Sequence, residues 1–508
     1  MNHTDLFIIG GGINGTGIAA DAANRGLSTI LCEQGDLACG TSSKSSHLIH
    51  GGLRYLDYYQ FRLVKESLEE RSVLLKRAPH LVSPLSFILP YNQQLKPKWM
   101  IKLGLFLYDH LSHQNILPAS HAICFKQHPA GKLIQNHFTQ GFSYTDCLVD
   151  DARLVIHNAI AAQKSGATIR TRTRFLSAKR RDHHWEICVE DVRTGEKEYI
   201  SAAALVNAAG PWVDDVLCNK LQLSASPQMQ LVKGSHIIVP RLYKEDFAFT
   251  LSTTDHRIVF IIPYLQKYSL IGTTEILYRG NPNDAHISAA EITYLCDVVN
   301  KYLIKPISYE HIVSTYAGVR PLYDEKTTHA SPSSITRDYK LILDACDHQP
   351  PLLSIFGGKI TTYRKLSEKA LGLLQPFFKN MKQRSTRDIP LPGGGFDNLD
   401  AYIKKISHLY PFLPFSLIQR WVKSYGTHVE KFLENVASLS DLGVHIGENL
   451  YEREVLYLMA NEWAETAEDI LWRRTKLGLS FSEKDMAQLE MMILNLRKRS
   501  AAPLSWSL

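Results

Sequence analysis

Leu6-Phe7-Ile8-Ile9-Gly10-Gly11-Gly12-Ile13-Asn14-Gly15 runs four apolar residues straight into a cluster of glycines. A short unbroken apolar run predicts a strand buried on both faces. Ile18-Ala19-Ala20-Asp21-Ala22-Ala23 then reads as helix, and Gly26 stops it. A second apolar run, Leu27 to Cys32, ends at Glu33. Strand, tight turn, helix and strand make one βαβ unit on a parallel sheet. Within it, Gly10 permits the turn, Gly12 lets a pyrophosphate reach the backbone, and Gly15 lets helix and strand pack closely. Phosphates then sit on the helix N-terminus. Glu33 lies 23 positions after Gly10, where a carboxylate can bond ribose hydroxyls. The glycine pattern alone is weak evidence; strand, helix, second strand and acid together point to a bound dinucleotide.

Further segments extend this sheet. Asp151 to Lys164 reads as an Asp-capped helix and Ala167 to Phe175 as a strand. The run Ala203-Leu205-Val206-Asn207 reads as another strand, ending in Ala208-Ala209-Gly210. Leu352 to Phe356 runs into Gly357-Gly358-Lys359, with a helix expected from about Thr361 to Leu374. Stretches of a different character lie between them. Residues 81–145 are rich in aromatics, prolines and histidines, and residues 226–315 alternate like antiparallel strands, as in Arg257 to Ile262 and Tyr268 to Gly272. Pro390-Leu391-Pro392-Gly393-Gly394-Gly395 reads as a linker, with helical periodicity beyond it in Tyr451 to Ala467 and Glu483 to Leu496. The expected architecture is α/β. A Rossmann-like dinucleotide domain is assembled from 1–80, 146–225 and 316–387, an antiparallel β substrate domain from 81–145 and 226–315, and an all-α cap from 388–508.

The bulk numbers narrow the function classes. A chain of 508 residues, 45% hydrophobic and 21% charged, has ample material for a large core, which excludes disorder as its main state. The formal charge of +7 suits anionic small substrates or an anionic membrane surface, and no basic stripe suggests nucleic acid. The eight cysteines, Cys32, Cys39, Cys124, Cys147, Cys188, Cys218, Cys296 and Cys346, are scattered, without zinc spacing or disulfide density. Reduced thiols and no metal site are expected. Met1-Asn2-His3-Thr4-Asp5 has no basic n-region, which predicts no cleavable signal. No stretch reaches the roughly 18 apolar residues a bilayer span needs, so any membrane association is expected to be peripheral. Lys96, Lys98 and Lys102 flank Trp99, Met100, Leu103, Phe106 and Leu107 at helical spacing, either an interfacial helix or an ordinary helix packed on the core.

The stretch Gly40-Thr41-Ser42-Ser43-Lys44-Ser45-Ser46-His47-Leu48-Ile49-His50-Gly51-Gly52-Leu53-Arg54-Tyr55 follows the ribose-binding acid. Its glycines and hydroxyl side chains let backbone amides reach a phosphate and a flat ring, where a plain Ser-rich loop is the alternative. With Asp5 to Gly15, it resembles the FAD-dependent, quinone-linked bacterial glycerol-3-phosphate dehydrogenase family. The resemblance continues through Ala208-Ala209-Gly210-Pro211-Trp212, Lys233-Gly234-Ser235-His236, Gly318-Val319-Arg320-Pro321-Leu322, Phe356 to Lys365 and Leu471-Trp472-Arg473-Arg474-Thr475-Lys476-Leu477-Gly478. It covers essentially the whole chain, in order.

The resemblance implies an amine- and amino-acid-oxidase-like fold that binds FAD and oxidises sn-glycerol 3-phosphate to dihydroxyacetone phosphate. Electrons pass to membrane quinone at the cytoplasmic side of the inner membrane. The implied partners are that substrate, quinone, an anionic lipid surface and a second copy of the chain as a homodimer, with no nucleic acid. Implied cofactor contacts are Gly10, Gly12, Asn14, Gly15, Glu33, Gln34, Thr41, Ser42, Ser43, Ser45, Leu48, His50, Gly51, Gly52, Ala209, Gly210, Gly318, Arg320, Gly358, Lys359 and Thr361. Arg54, Tyr55, Arg320 and Lys359 are the substrate candidates, because a phosphate dianion needs cations and arginine offers a matching fork. Hydride loss from a carbinol also needs its hydroxyl proton removed. His236 and His50 are candidate bases, Arg320 could instead lower the hydroxyl pKa, and Lys359 suits charge on a reduced flavin. The residues do not choose between these roles. Rival readings are a glycerol-3-phosphate oxidase using oxygen, an amine or amino-acid oxidase, and a flavin-binding redox-sensing interaction protein.

Overall fold

The computed structural model describes residues 2–112, 114–224, 229–255, 257–323, 337–345, 349–383 and 385–499. Cys346 and the end of the expected cap, 500–508, lie outside them. Strand Asn2–Ile9 sits inside the first sheet, pairing in parallel with Lys197–Asn207 on one side and Thr29–Cys32 on the other. Leu352–Phe356 and Thr168–Arg170 extend the parallel run outward, and Lys340–Asp344 closes one edge antiparallel. The continuous apolar run has a direct cause, since the two faces of this strand serve different cores. Leu6 and Ile8 pack under helices Ile13–Asn24, Asp151–Lys164 and Tyr363–Leu374. Phe7 and Ile9 face Phe175, Trp185 and Leu205. Every position from Leu6 to Ile9 is therefore buried, and the polar alternation of a half-exposed strand is absent there.

The single strand expected over Ala167 to Phe175 is two strands, Thr168–Arg170 and Thr173–Arg180. They are separated at Arg172, whose φ is +52°. Its backbone N–H donates to the Gly35 carbonyl at 3.0 Å and its guanidinium reaches Asp469 at 2.7 Å, so tertiary partners override the local β preference.

The second sheet joins the two intervening stretches. Its strands run in the order Ile276–Leu277, Met229–Pro240, Tyr268–Gly272, Ile258–Tyr264, Phe247–Ser252, Val82–Pro90, Gln140–Val149 and Leu48–Ile49. Pairing is antiparallel except where Phe247–Ser252 meets Val82–Pro90 in parallel, the seam between the 81–145 and 226–315 stretches. Strand Ser314–Tyr323, which a division at 316 assigns to the dinucleotide domain, hydrogen-bonds along Met229–Ile238 in this second sheet. Helix Ala289–Tyr302, opened by a Ser288/Glu291 capping box, covers one face of it.

Beyond the glycine-rich linker, helices Leu399–Leu409, Phe415–Tyr425, Glu452–Asn461 and Glu483–Arg499 gather around buried Trp421, Tyr425, Phe432 and Tyr457, with one short ribbon, His445–Gly447 against Leu450–Tyr451. This helical part is tied to the first sheet by charge. The Arg153 guanidinium on helix Asp151–Lys164 forms a two-pronged ion pair with Glu462, one prong 2.8 Å long, and both side chains are fully buried. Breaking such a pair strands a charge in the interior. Glu462→Ala is therefore expected to lower stability by roughly 3–5 kcal/mol. Denaturant unfolding of the purified protein reads this directly, and an unchanged midpoint would show that the pair contributes nothing.

Candidate active site

The first cleft opens at the carboxyl ends of strands Asn2–Ile9, Thr29–Cys32 and Lys197–Asn207. Gly10 holds φ +108°, and a Cβ there would lie 2.6 Å from the Ala208 carbonyl oxygen. A Cβ on Gly15 would fall 1.9 Å from the Gly10 carbonyl oxygen, so this glycine sets the close approach of helix to strand. At Gly12 a Cβ would meet only the Ser42 hydroxyl, 3.1 Å away; the side facing the cleft is open. The Gly12 at the start of helix Ile13–Asn24 has no side chain to cap it, and the Ser42 hydroxyl accepts the Ile13 N–H at 3.0 Å, so an anion there would meet the helix end and this hydroxyl together. The Glu33 carboxylate accepts the Gly11 and Gly35 N–H groups, each at 2.8 Å, and faces the cleft beside Gln34. Asn14, Thr41, Ser42, Ala209, Gly210 and Gly358 complete the same lining. These residues fit the nucleotide half of FAD, with an open glycine turn, a helix N-terminus and an acid for the ribose.

Not every expected contact faces this cleft. The Ser45 hydroxyl is committed to Asp151 at 2.8 Å. Leu48 is buried in a strand paired with Leu148, and Gly318 is a strand residue opposite Gly234. Ser43 lies in the turn Thr41–Ser43. Gly51 donates its N–H to the Tyr108 hydroxyl at 2.8 Å, and Thr361 lies beside the His50 backbone.

Gly358 borders the first cleft, and the next residue, Lys359, reaches the second, where its ammonium lies 3.7 Å from the centre of the Tyr55 ring. His50, Gly52, Arg54 and Tyr55 line this second cleft together with Asp146, Thr250, Phe260, Glu275 and Arg337. Glu275, almost wholly buried, gathers the arginines. Arg54 bonds it at 3.2 Å, Arg337 bonds it directly, and Arg320 stands 3.9 Å away. Glu275 and Arg337 are absent from the residues singled out by sequence. No glycine motif flanks either, and one acid or arginine in a sequence does not announce that it is buried.

Four cations thus converge on one carboxylate and one phenol. Burial alone would raise the Tyr55 hydroxyl, but Lys359, Arg337, Arg320 and Arg54 together outweigh it and bring its pKa down to about 7. Burial, reinforced by Lys359, Arg337 and Arg320, holds His50 down at about 3. Burial, then Arg320 and His47, keep His236 well below the ordinary histidine range. His236 lies behind the cleft, its Nε2 2.8 Å from the Ser46 hydroxyl and its ring stacked on Tyr316 at 4.7 Å. Both candidate bases are therefore neutral imidazoles, and of the two only His50 lines the cleft. Lys233 of the Lys233-Gly234-Ser235-His236 motif bonds Glu291 at 2.8 Å and belongs to the support of the sheet. Among the described residues no cluster suited to a metal ion occurs.

The fold and the first cleft define a flavin-binding oxidoreductase. The chain belongs to the FAD dependent oxidoreductase family, whose profile matches residues 5–364, and residues 384–500 match the C-terminal domain of alpha-glycerophosphate oxidase. It is 50% identical over 486 residues to a glycerol-3-phosphate dehydrogenase of Pseudomonas aeruginosa, covering 96% of this chain and 94% of that protein. It is 46% identical over 485 residues to a D-erythritol 1-phosphate dehydrogenase of Brucella abortus, covering 95% and 96%. Among solved structures, the FAD complex of the Bacillus halodurans glycerol-3-phosphate dehydrogenase superposes with a TM-score of 0.72 at 24% identity, covering 100% of this chain and 97% of that one.

The depressed Tyr55 hydroxyl carries a pH signature. As pH rises through about 7 the phenol becomes a phenolate inside a pocket built for an anion, so an anionic ligand binds less tightly above that value. KM for a phosphorylated substrate is expected to climb between pH 7 and 9, and Tyr55→Phe to flatten the climb. Equal climbs in both proteins would remove Tyr55 from the site.

Proposed function

We propose that this enzyme oxidises sn-glycerol 3-phosphate to dihydroxyacetone phosphate and hands the electrons to membrane quinone. One observation carries the substrate reading: Arg54 and Arg337 bond the almost wholly buried Glu275, Arg320 stands 3.9 Å from it, and Lys359 sits over the Tyr55 ring, so four cations gather at one cleft. A phosphate dianion balances that excess, and guanidinium forks match its oxygens. The relatives' names point the same way. Bound FAD supplies the two-electron acceptor for the carbinol hydride. The chain's own part is to hold the phosphate, to turn the carbinol toward the junction of the two clefts at Gly358–Lys359, and to steady the oxygen as its proton leaves. Arg320 and Lys359 are the cations nearest that task. His50, held neutral by burial and lining the cleft, can accept a hydrogen bond there but is a weak proton acceptor.

Arg320→Ala is expected to cost roughly 1.5–3 kcal/mol of transition-state binding, about ten- to a hundredfold in kcat/KM. Arg320→Lys should recover little, and FAD content should stay near normal in both. Unphosphorylated glycerol should be a poor substrate. If Arg54→Ala and Arg320→Ala leave the kinetics intact, or glycerol matches its phosphate, the site is misassigned. A four-carbon polyol phosphate is the second reading, since the cleft continues past Arg54 to Thr250, Ser252 and Thr253. Competition between the two phosphates for the same enzyme separates them.

The quinone reading places the protein peripherally on the cytoplasmic face of the inner membrane. Among the described residues no helix is long and apolar enough to cross a bilayer. Helix Lys98–His110 buries only Leu105 and Tyr108, while Trp99 is 64% exposed, Leu103 50% and Phe106 57%. Lys96, Lys98 and Lys102 border this apolar face, the pattern of a helix lying in an anionic interface. Its Met100, Ile101 and Gly104 also line the second cleft. Trp99→Ser with Leu103→Ser should release the protein from vesicles containing anionic lipid. Undiminished sedimentation with vesicles would put the contact elsewhere.

A further inference from the structure

The stretch Arg473-Arg474-Thr475-Lys476, far along the chain from every cleft residue, reaches back to both loops that border the nucleotide cleft. The Arg474 guanidinium, fully buried, grips the Asp36 carboxylate with two bonds of 2.8 Å, and Arg473 adds a third at 2.6 Å. Asp36 lies three residues after Glu33 in the loop that presents Glu33 and Gln34 to the cleft. The other side of that loop is fixed to the glycine turn, through Gly11 N–H on Glu33 and Ala38 N–H on the Gly11 carbonyl at 3.1 Å. The loop is thus clamped between the phosphate turn and two arginines of the helical region.

Lys476 makes the second grip. Its ammonium sits 3.1 Å from Asp150 and 3.2 Å from Asp151. Asp151, with no exposed side-chain surface, in turn accepts the Ser45 hydroxyl at 2.8 Å and stands 3.1 Å from His47 Nδ1. Ser46 between them bonds His236. The turn Thr41–Ser43, which supplies Thr41 and Ser42 to the cleft, leads directly into this anchored segment.

We propose that Arg474 and Lys476 are positioning residues for the flavin cofactor: they hold the Glu33–Cys39 loop and the Thr41–His47 segment in the geometry that retains FAD. The physical reason is the cost of an under-partnered buried charge. Without Arg474 the Asp36 carboxylate loses two of its three arginine bonds and keeps the single one from Arg473, which loosens the backbone that carries Glu33. Without Lys476, Asp151 loses its ammonium partner and keeps Ser45 and His47, which loosens the Ser45–His47 turn. The helical region therefore sets the lifetime of the holoenzyme, although none of its described residues lines the nucleotide cleft.

The test is FAD release from diluted holoenzyme, followed by the rise in free-flavin fluorescence well below each variant's unfolding midpoint. Arg474→Met and Lys476→Met should each release FAD about tenfold faster or more. Their KM for glycerol 3-phosphate, measured at saturating FAD, should stay unchanged. Arg420→Met is the control for generic destabilisation. It breaks a largely buried pair with Glu454, 2.6 Å long, inside the helical region, and should lower the unfolding midpoint without changing FAD release. Asp36→Asn combined with Arg474→Met, which removes both buried charges, should regain part of the retention. If Arg474→Met and Lys476→Met lower the midpoint as Arg420→Met does and hold FAD as the parent does, the proposal fails. Should Arg474→Met not fold, Lys476→Met decides by the same comparison, normal release overturning the proposal.

Discussion

Positive charge packed into one largely buried cleft is the constraint around which the site is built. Arg54, Arg320 and Arg337 converge on Glu275 while Lys359 sits over Tyr55, and burial makes each of these charges costly unless it is answered. The second sheet exists in the right place to answer them. Ser314–Tyr323, paired with Met229–Pro240, carries Arg320 opposite Val232, and the segment after Tyr268–Gly272 delivers Glu275. Lys359 arrives from the other sheet, immediately after Leu352–Phe356 and the Gly357-Gly358 turn. The cleft is thus a junction. One sheet brings the glycine turn and acid that would hold the cofactor's phosphates and ribose, the other brings Arg320 and Glu275, and Gly358–Lys359 connects them.

Much of this was legible in the chain. The glycine turn, its flanking strands and Glu33 could be read because each rests on a local rule, a period of hydrophobicity or a conformation that only glycine tolerates. Gly15 shows the rule at its strictest, since a methyl group there would overlap the Gly10 carbonyl. Strand Ser314–Tyr323 was harder to place. Gly318 to Leu322 stands out in the sequence only as a motif, and pairing along Met229–Ile238 is a long-range choice. The break at Arg172 follows from Gly35 and Asp469, residues distant in sequence.

The site itself was half visible. Arg54, Arg320 and Lys359 sit in glycine-flanked motifs, whereas Glu275 and Arg337 have none and gain meaning only by meeting in space. The histidines illustrate a different limit. A sequence offers His50 and His236 as equal candidates for a base. Burial and neighbouring cations make both neutral, and only one of them borders the cleft. The motif Leu471 to Gly478 likewise reads as part of a distant cap until Arg474 is seen on Asp36.

The account requires that a phosphorylated carbinol bind against these cations and reduce the flavin without any further partner. Anaerobic mixing of the holoenzyme with glycerol 3-phosphate, monitored by flavin absorbance, tests this most directly. Full bleaching within the time of a few turnovers, with no bleaching by unphosphorylated glycerol at the same concentration, is the expected result. A flavin that stays oxidised with the phosphate, or that glycerol bleaches equally fast, would contradict the account.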